Sequence, residues 1–71
     1  MKGGEEMNMT LRQLRENAKL SQGDVSKKES VALSTVSMWE TGKRKPYRRA
    51  KRLAKLYKVP IQDIFLAIEI T

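Results

Sequence analysis

Apolar residues recur at helical spacing along most of the chain, in short runs separated by polar breaks. Leu11, Leu14 and Ala18 form the first run, with Arg12, Glu16 and Lys19 off the stripe. Thr10 precedes it and Gln13 follows three residues later, the pattern of a capping box, which predicts a helix start. Ser21 and Asp24 repeat that pattern. Val25 is the one large apolar residue before Glu29-Ser30, so the second helix is short. Val31 plugs the core between helices. A third helix is predicted from Leu33 to Thr41, with Val36 and Trp39 inward and Gly42 as a left-handed stop. Lys45-Pro46 is a turn, with Pro46 or Tyr47 near the start of a fourth helix. Ala50, Leu53, Ala54 and Tyr57 trace one face of it, Leu56 flanks that face, and Val59-Pro60 ends it. Ile61, Ile64 and Phe65 mark a short fifth helix, with Asp63 in its first turn. The tail LAIEIT extends that helix or forms a brief strand. With no strong hairpin or βαβ signal, the expected fold is all-α with five helices. Its expected core is Leu11, Leu14, Val25, Val31, Val36, Trp39, Leu53 and Ile64.

Residues 1–8, MKGGEEMN, stand outside this pattern and are expected to be disordered. Lys-Gly-Gly can be encoded by a purine-rich bacterial ribosome-binding site a short distance before Met7. Two readings stand level: translation starts at Met7 or Met9 and Met1–Glu6 is untranslated leader, or the segment is a flexible arm. The domain is expected over residues 9–66, with residues 67–71 as a tail.

Composition removes whole classes of chemistry. Seventy-one residues allow one small domain that buries roughly 60% of its unfolded surface, so stability is marginal. There is no Cys and no His, hence no disulfide, no thiolate site and no imidazole base. No catalytic cluster, metal site, cofactor or small-molecule ligand is implied. No apolar run approaches the ~20 residues of a membrane span, and no signal-peptide pattern follows Met1. The expected setting is the cytoplasm.

The formal charge is +7, and its placement carries more than its size. Between Glu40 and Asp63 there is no acid, yet Lys43, Arg44, Lys45, Arg48, Arg49, Lys51, Arg52, Lys55 and Lys58 all fall there. So one-sided a field attracts a polyanion. The plainer reading is a solvated face that keeps a small protein soluble.

A short helix, a tight turn and a further helix have the sequence shape of a helix-turn-helix. The stretch SQGDVSKKESVALSTVSMWETGKRKP resembles that motif in the phage-repressor and Cro-like regulators, the XRE family. Matching residues are Ser21-Gln22, Val31, Ser34 through Ser37, Glu40, Gly42, Lys43 and Pro46. LRQLRENAKLS resembles the family's first helix, and LAKLYKVPIQDIF its fourth and fifth. The resemblance covers about residues 9 to 66 and implies a compact lambda-repressor-like domain that binds double-stranded DNA as a homodimer.

The resemblance also implies roles. Ala32, Leu33, Ser34, Ser37 and Met38 would read bases, against a plainer reading of Leu33 and Met38 as packing. Ser21, Gln22, Thr35, Thr41, Lys43, Arg44, Lys45 and Arg48 would meet phosphates, with Arg49 as a possible extension. Arg15 and Glu40 would form an ion pair between the first and third helices, with Arg12 as a competing partner. The reading set contains no Arg, Lys, Asn or Gln, the strong direct readers of guanine and adenine. Leu33, Met38 and Ala32 suit thymine methyl groups, so a T-containing site with modest discrimination is expected. Lys51, Arg52, Lys55 and Lys58 continue around a helix and supply supporting field.

Several positions depart from the family. Glu29 replaces a core aliphatic, Ser30 a turn glycine, and Ala32 a side-chain N-cap. The chain before helix four is one residue short. Leu66, Ile68 and Ile70 have little remaining core to join and would serve a dimer contact or fold back. A regulator of the antitoxin or restriction-controller kind is the alternative within this fold. From another class, helix four could lie on anionic membrane, although its face is needed for the core.

Overall fold

The computed structural model describes residues 9–71. The expectations for Met1–Glu6 and the arm lie outside these residues. The chain is all-α. Helix α1 spans Leu11–Asn17, α2 Gln22–Glu29, α3 Leu33–Thr41, α4 Ala50–Tyr57 and α5 Ile61–Ile70. A 3-10 turn, Tyr47–Arg49, leads into α4.

Local chemistry sets the helix ends. Thr10 Oγ1 accepts the Gln13 N–H at 3.1 Å, and Gln13 Oε1 accepts the Thr10 N–H at 2.8 Å. Ser21 and Asp24 make the same reciprocal pair on α2, at 3.0 and 2.8 Å. These bonds satisfy amides that the helix leaves without partners. They also pull the Asp24 carboxyl below the usual carboxylate range, the Ser21 backbone amide contributing most. Helix α3 has no such help, because the Ala32 N-cap makes no side-chain bond.

The core joins all five helices. Leu11 and Leu14 of α1, Val25 of α2, Val36 and Trp39 of α3, and Ala50, Leu53, Ala54 and Tyr57 of α4 are buried. Ile64, Ala67 and Ile68 of α5 complete it, while Val31 is half-buried against it. Helices α4 and α5 pack along one another, as do α2 and α3.

The tail corrects one expectation. Residues 67–70 are neither a strand nor spare: α5 is the longest described helix, and Ile68 is fully buried in the core. Ile68 falls four residues after Ile64, on the same face of the helix. Only Leu66 and Ile70 of that apolar set face solvent. The end of α5 is also tied down. Thr71 Oγ1 donates to the Ala67 carbonyl at 2.6 Å and accepts the Leu11 N–H at 3.5 Å. Gly42 adopts φ +82°, and a Cβ there would lie 2.7 Å from the Thr71 carbonyl oxygen. The glycine therefore serves both the left-handed turn and a close backbone approach.

Candidate nucleic-acid interface

The turn between α2 and α3 is tight and internally bonded. Ser26 Oγ donates to the Val31 carbonyl at 2.8 Å, and the Val31 N–H donates to the Ser26 carbonyl at 3.0 Å. Ser30 takes φ +56°, the left-handed conformation usually given to glycine, at a cost of about 1–2 kcal/mol. Ser26 thus has a bonding role, and α2 keeps eight regular residues despite Glu29 and Ser30.

Val36 and Trp39 hold one side of α3 inward and so fix what it shows outward. Ala32, Leu33 and Ser34 are exposed, and Leu33 most clearly, at 53%. Ser37, Met38 and Thr35 are half-buried. The structure brings the five candidate base-reading positions onto the first two turns of α3, with its N-terminal end the most open.

Behind α3 lies a polar network. Arg15 Nε donates to Glu40 Oε2 at 2.6 Å and Nη2 to Glu40 Oε1 at 3.3 Å. A third donor, Nη1, meets the Leu20 carbonyl at 2.8 Å. The side chains are 10% and 5% exposed, so the pair is buried. Its hydrogen bonds raise the Arg15 guanidinium above the ordinary arginine range against the opposing effect of burial. Arg12, the competing partner, instead bonds Glu16 one turn along its own helix at 3.1 Å. Gln22 joins the network, its Nε2 donating to Glu40 Oε1 at 2.9 Å. One of its two amide hydrogens is therefore committed internally.

The basic segment divides. Thr41, Lys43, Arg44 and Arg48 are exposed. Among the described residues Lys43, Arg44 and Arg48 enter no salt bridge. Lys45 turns away from the loop, and its Nζ donates to the Ile68 carbonyl at 3.1 Å. A cation at the end of α5 suits the negative pole of the helix. Arg49 and Arg52 both reach the Glu29 carboxylate, at 3.1 and 3.2 Å. The Arg49 guanidinium also stands 5.8 Å from the Trp39 ring centroid. Arg49, the possible extension of the phosphate contact, and Arg52, assigned to supporting field, thus both make internal contacts. The 3-10 turn leads into α4, with Pro46 buried ahead of it.

The Glu29 cluster is the feature sequence reasoning did not assemble. A signal was present: Arg49 and Arg52 are three apart, hence on one face of a helical turn. Which acid they would meet required the packing of α4 against the end of α2.

A family model described as helix-turn-helix matches residues 11–64 of the chain. No curated protein and no solved structure matches it.

Proposed function

Because the chain belongs to the XRE family of helix-turn-helix proteins, the Cro and phage-repressor type, a DNA-binding regulator family, we propose that it represses transcription by sequence-specific binding to double-stranded DNA. Helix α3 enters the major groove, and Ala32, Leu33, Ser34, Ser37 and Met38 face base edges. Lys43, Arg44 and Arg48 take phosphates, with Thr41, Thr35, Ser21 and the free amide hydrogen of Gln22 beside them. The observation that carries this reading is the face of α3 itself. Its outward end is open while its inner side is braced by the buried Arg15–Glu40 pair, joined by half-buried Gln22. A helix held that firmly presents its side chains in a fixed register.

The open face is sparse, and its character sets the expected readout. Leu33, Ala32 and Met38 fit thymine methyl groups, and serine hydroxyls bond several base edges. Phosphate attraction and DNA deformability supply much of the affinity. Selection of bound oligonucleotides from a random pool tests this directly. The expected result is a T-containing consensus that Leu33→Ala relaxes at one position. A consensus unchanged by that substitution overturns the methyl contact, and no enrichment overturns sequence-specific binding.

Two copies on near-palindromic half-sites are the expected arrangement on DNA. Phe65, Leu66 and Ile70 of α5 are exposed, and Tyr47 lies 6.2 Å from Phe65, ring centroid to centroid. This surface supports a two-fold contact through α5. Removing the chain after Phe65 would strip Ala67 and Ile68 from the core, so point variants are the cleaner probe. Leu66→Ser with Ile70→Ser should weaken self-association in analytical ultracentrifugation, and an unchanged association constant rules the surface out. A regulator of the antitoxin or restriction-controller kind would share the fold and differ in its protein partner. The membrane-surface alternative loses its basis, because the apolar face of α4 is spent on the core. Among the described residues no helix is long and apolar enough to cross a membrane.

A further inference from the structure

Glu29 is the buried acid to which the DNA-binding reading gives no task. It closes α2 and is 6% exposed, yet two guanidiniums share its Oε1. Arg49 approaches from the 3-10 turn, donating to Oε1 at 3.1 Å and to the Glu29 backbone carbonyl at 3.2 Å. Lying also over Trp39, it ties the end of α2 to the back of α3 and to the start of α4. Arg52 comes from one turn further along α4 and remains largely solvated, its side chain 66% exposed.

A carboxylate withdrawn from water needs such cations, and here they are taken from the basic segment itself. Arg48 sits beside Arg49 in the chain, exposed and in no ion pair among the described residues. A phosphate competing for Arg49 must displace charge-assisted hydrogen bonds already made, and one competing for Arg52 must displace an ion pair. A phosphate approaching Arg48, Lys43 or Arg44 displaces only water and mobile ions.

From this geometry we infer that Glu29 is a positioning residue that divides the basic segment. It keeps Arg49 and Arg52 for the fold and leaves Lys43, Arg44 and Arg48 for phosphate. The inference rests on the DNA-binding reading. It makes the count of phosphate contacts smaller than the count of basic residues, with Glu29 withholding two of them.

The salt dependence of DNA affinity counts such contacts. The full chain is titrated against a fluorescent mixed-sequence duplex from ~50 to ~200 mM salt by anisotropy, with circular dichroism to show that each variant is folded. Arg48→Gln lowers the slope of log affinity against log salt by about one. Arg52→Gln leaves the slope unchanged, since Arg49 still holds Glu29. Glu29→Gln raises the slope by up to about one, because it frees the solvated Arg52. An Arg52→Gln slope that falls as far as the Arg48→Gln slope overturns the division, as does a folded Glu29→Gln with the unchanged slope. If Glu29→Gln does not fold, the Arg48 and Arg52 comparison decides alone. Absence of salt-dependent duplex binding by the unsubstituted chain overturns the DNA-binding reading itself. Binding with equal Arg48 and Arg52 effects overturns only the inference.

Discussion

Glu40 and Glu29 lie in one helix-turn-helix, and their side chains are equally withdrawn from water, 5% and 6% exposed. They are held in different ways. Glu40 has a dedicated partner, the buried Arg15 of α1, with both carboxylate oxygens used and Gln22 added. Glu29 has two partners, both drawn from the basic segment and both partly solvated. The burial of the cation, more than that of the acid, decides what each pair is worth. Loss of Glu40 strands a charge that cannot reach water, whereas loss of Glu29 releases two that can.

That contrast can be broken by substitution, and Glu40→Ala should have the largest effect. It leaves the Arg15 guanidinium only the solvated Glu16 carboxylate, 4.0 Å away, and should cost about 3 kcal/mol in urea unfolding. That is most of the stability of a domain this size, about 5 kcal/mol. Replacing Arg15 and Glu40 together by Met and Leu should recover most of the loss, since two charges leave the interior together. A double variant as unstable as the single one would show that the site needs more than charge balance.

Glu29→Ala should cost less, about 1–2 kcal/mol in the same measurement, because Arg49 and Arg52 can turn outward. A loss equal to that of Glu40→Ala would erase the distinction between the two acids. Ser30→Gly, just beyond Glu29, should stabilise by about 0.5–1 kcal/mol. It relieves the left-handed strain, offset in part by the greater freedom of glycine in the unfolded chain. A neutral or destabilising result would show that the Ser30 side chain contributes more than it strains.

The smallest effect at neutral pH is expected from Tyr57→Phe, and it appears only in alkali. Burial raises the Tyr57 hydroxyl above the ordinary phenol range, and Glu40 adds to that shift. The unfolded chain ionises near pH 10 while the folded one does not. Stability is therefore intact below that pH and falls as pH rises beyond it, by up to about 1.4 kcal/mol per unit. Tyr57→Phe should flatten that alkaline decline in unfolding experiments, and an identical decline in both proteins would contradict it.

Parts of this arrangement were legible beforehand for local reasons. Thr10, Ser21 and Gly42 mark helix ends because caps and left-handed turns depend on residues a few positions apart. Val36 and Trp39 point inward because their spacing leaves no other face. Other parts were hidden because long-range partners settle them. Lys45 reads as a loop cation, yet the end of α5 takes it. Ile68 reads as surplus, yet it fills the core because α5 continues one turn past Phe65. Gln22 reads as a phosphate donor, yet half its amide bonds Glu40.

The sequence by itself determined the helix ends, the inward side of α3 and a one-sided positive charge. All three follow from periodicity, caps and composition, which act over short separations. Only the tertiary structure decided which cations stay free. That choice depends on groups twenty or more residues away in the chain, an acid for Arg49 and Arg52 and a carbonyl for Lys45. Such pairing is fixed by distance in space.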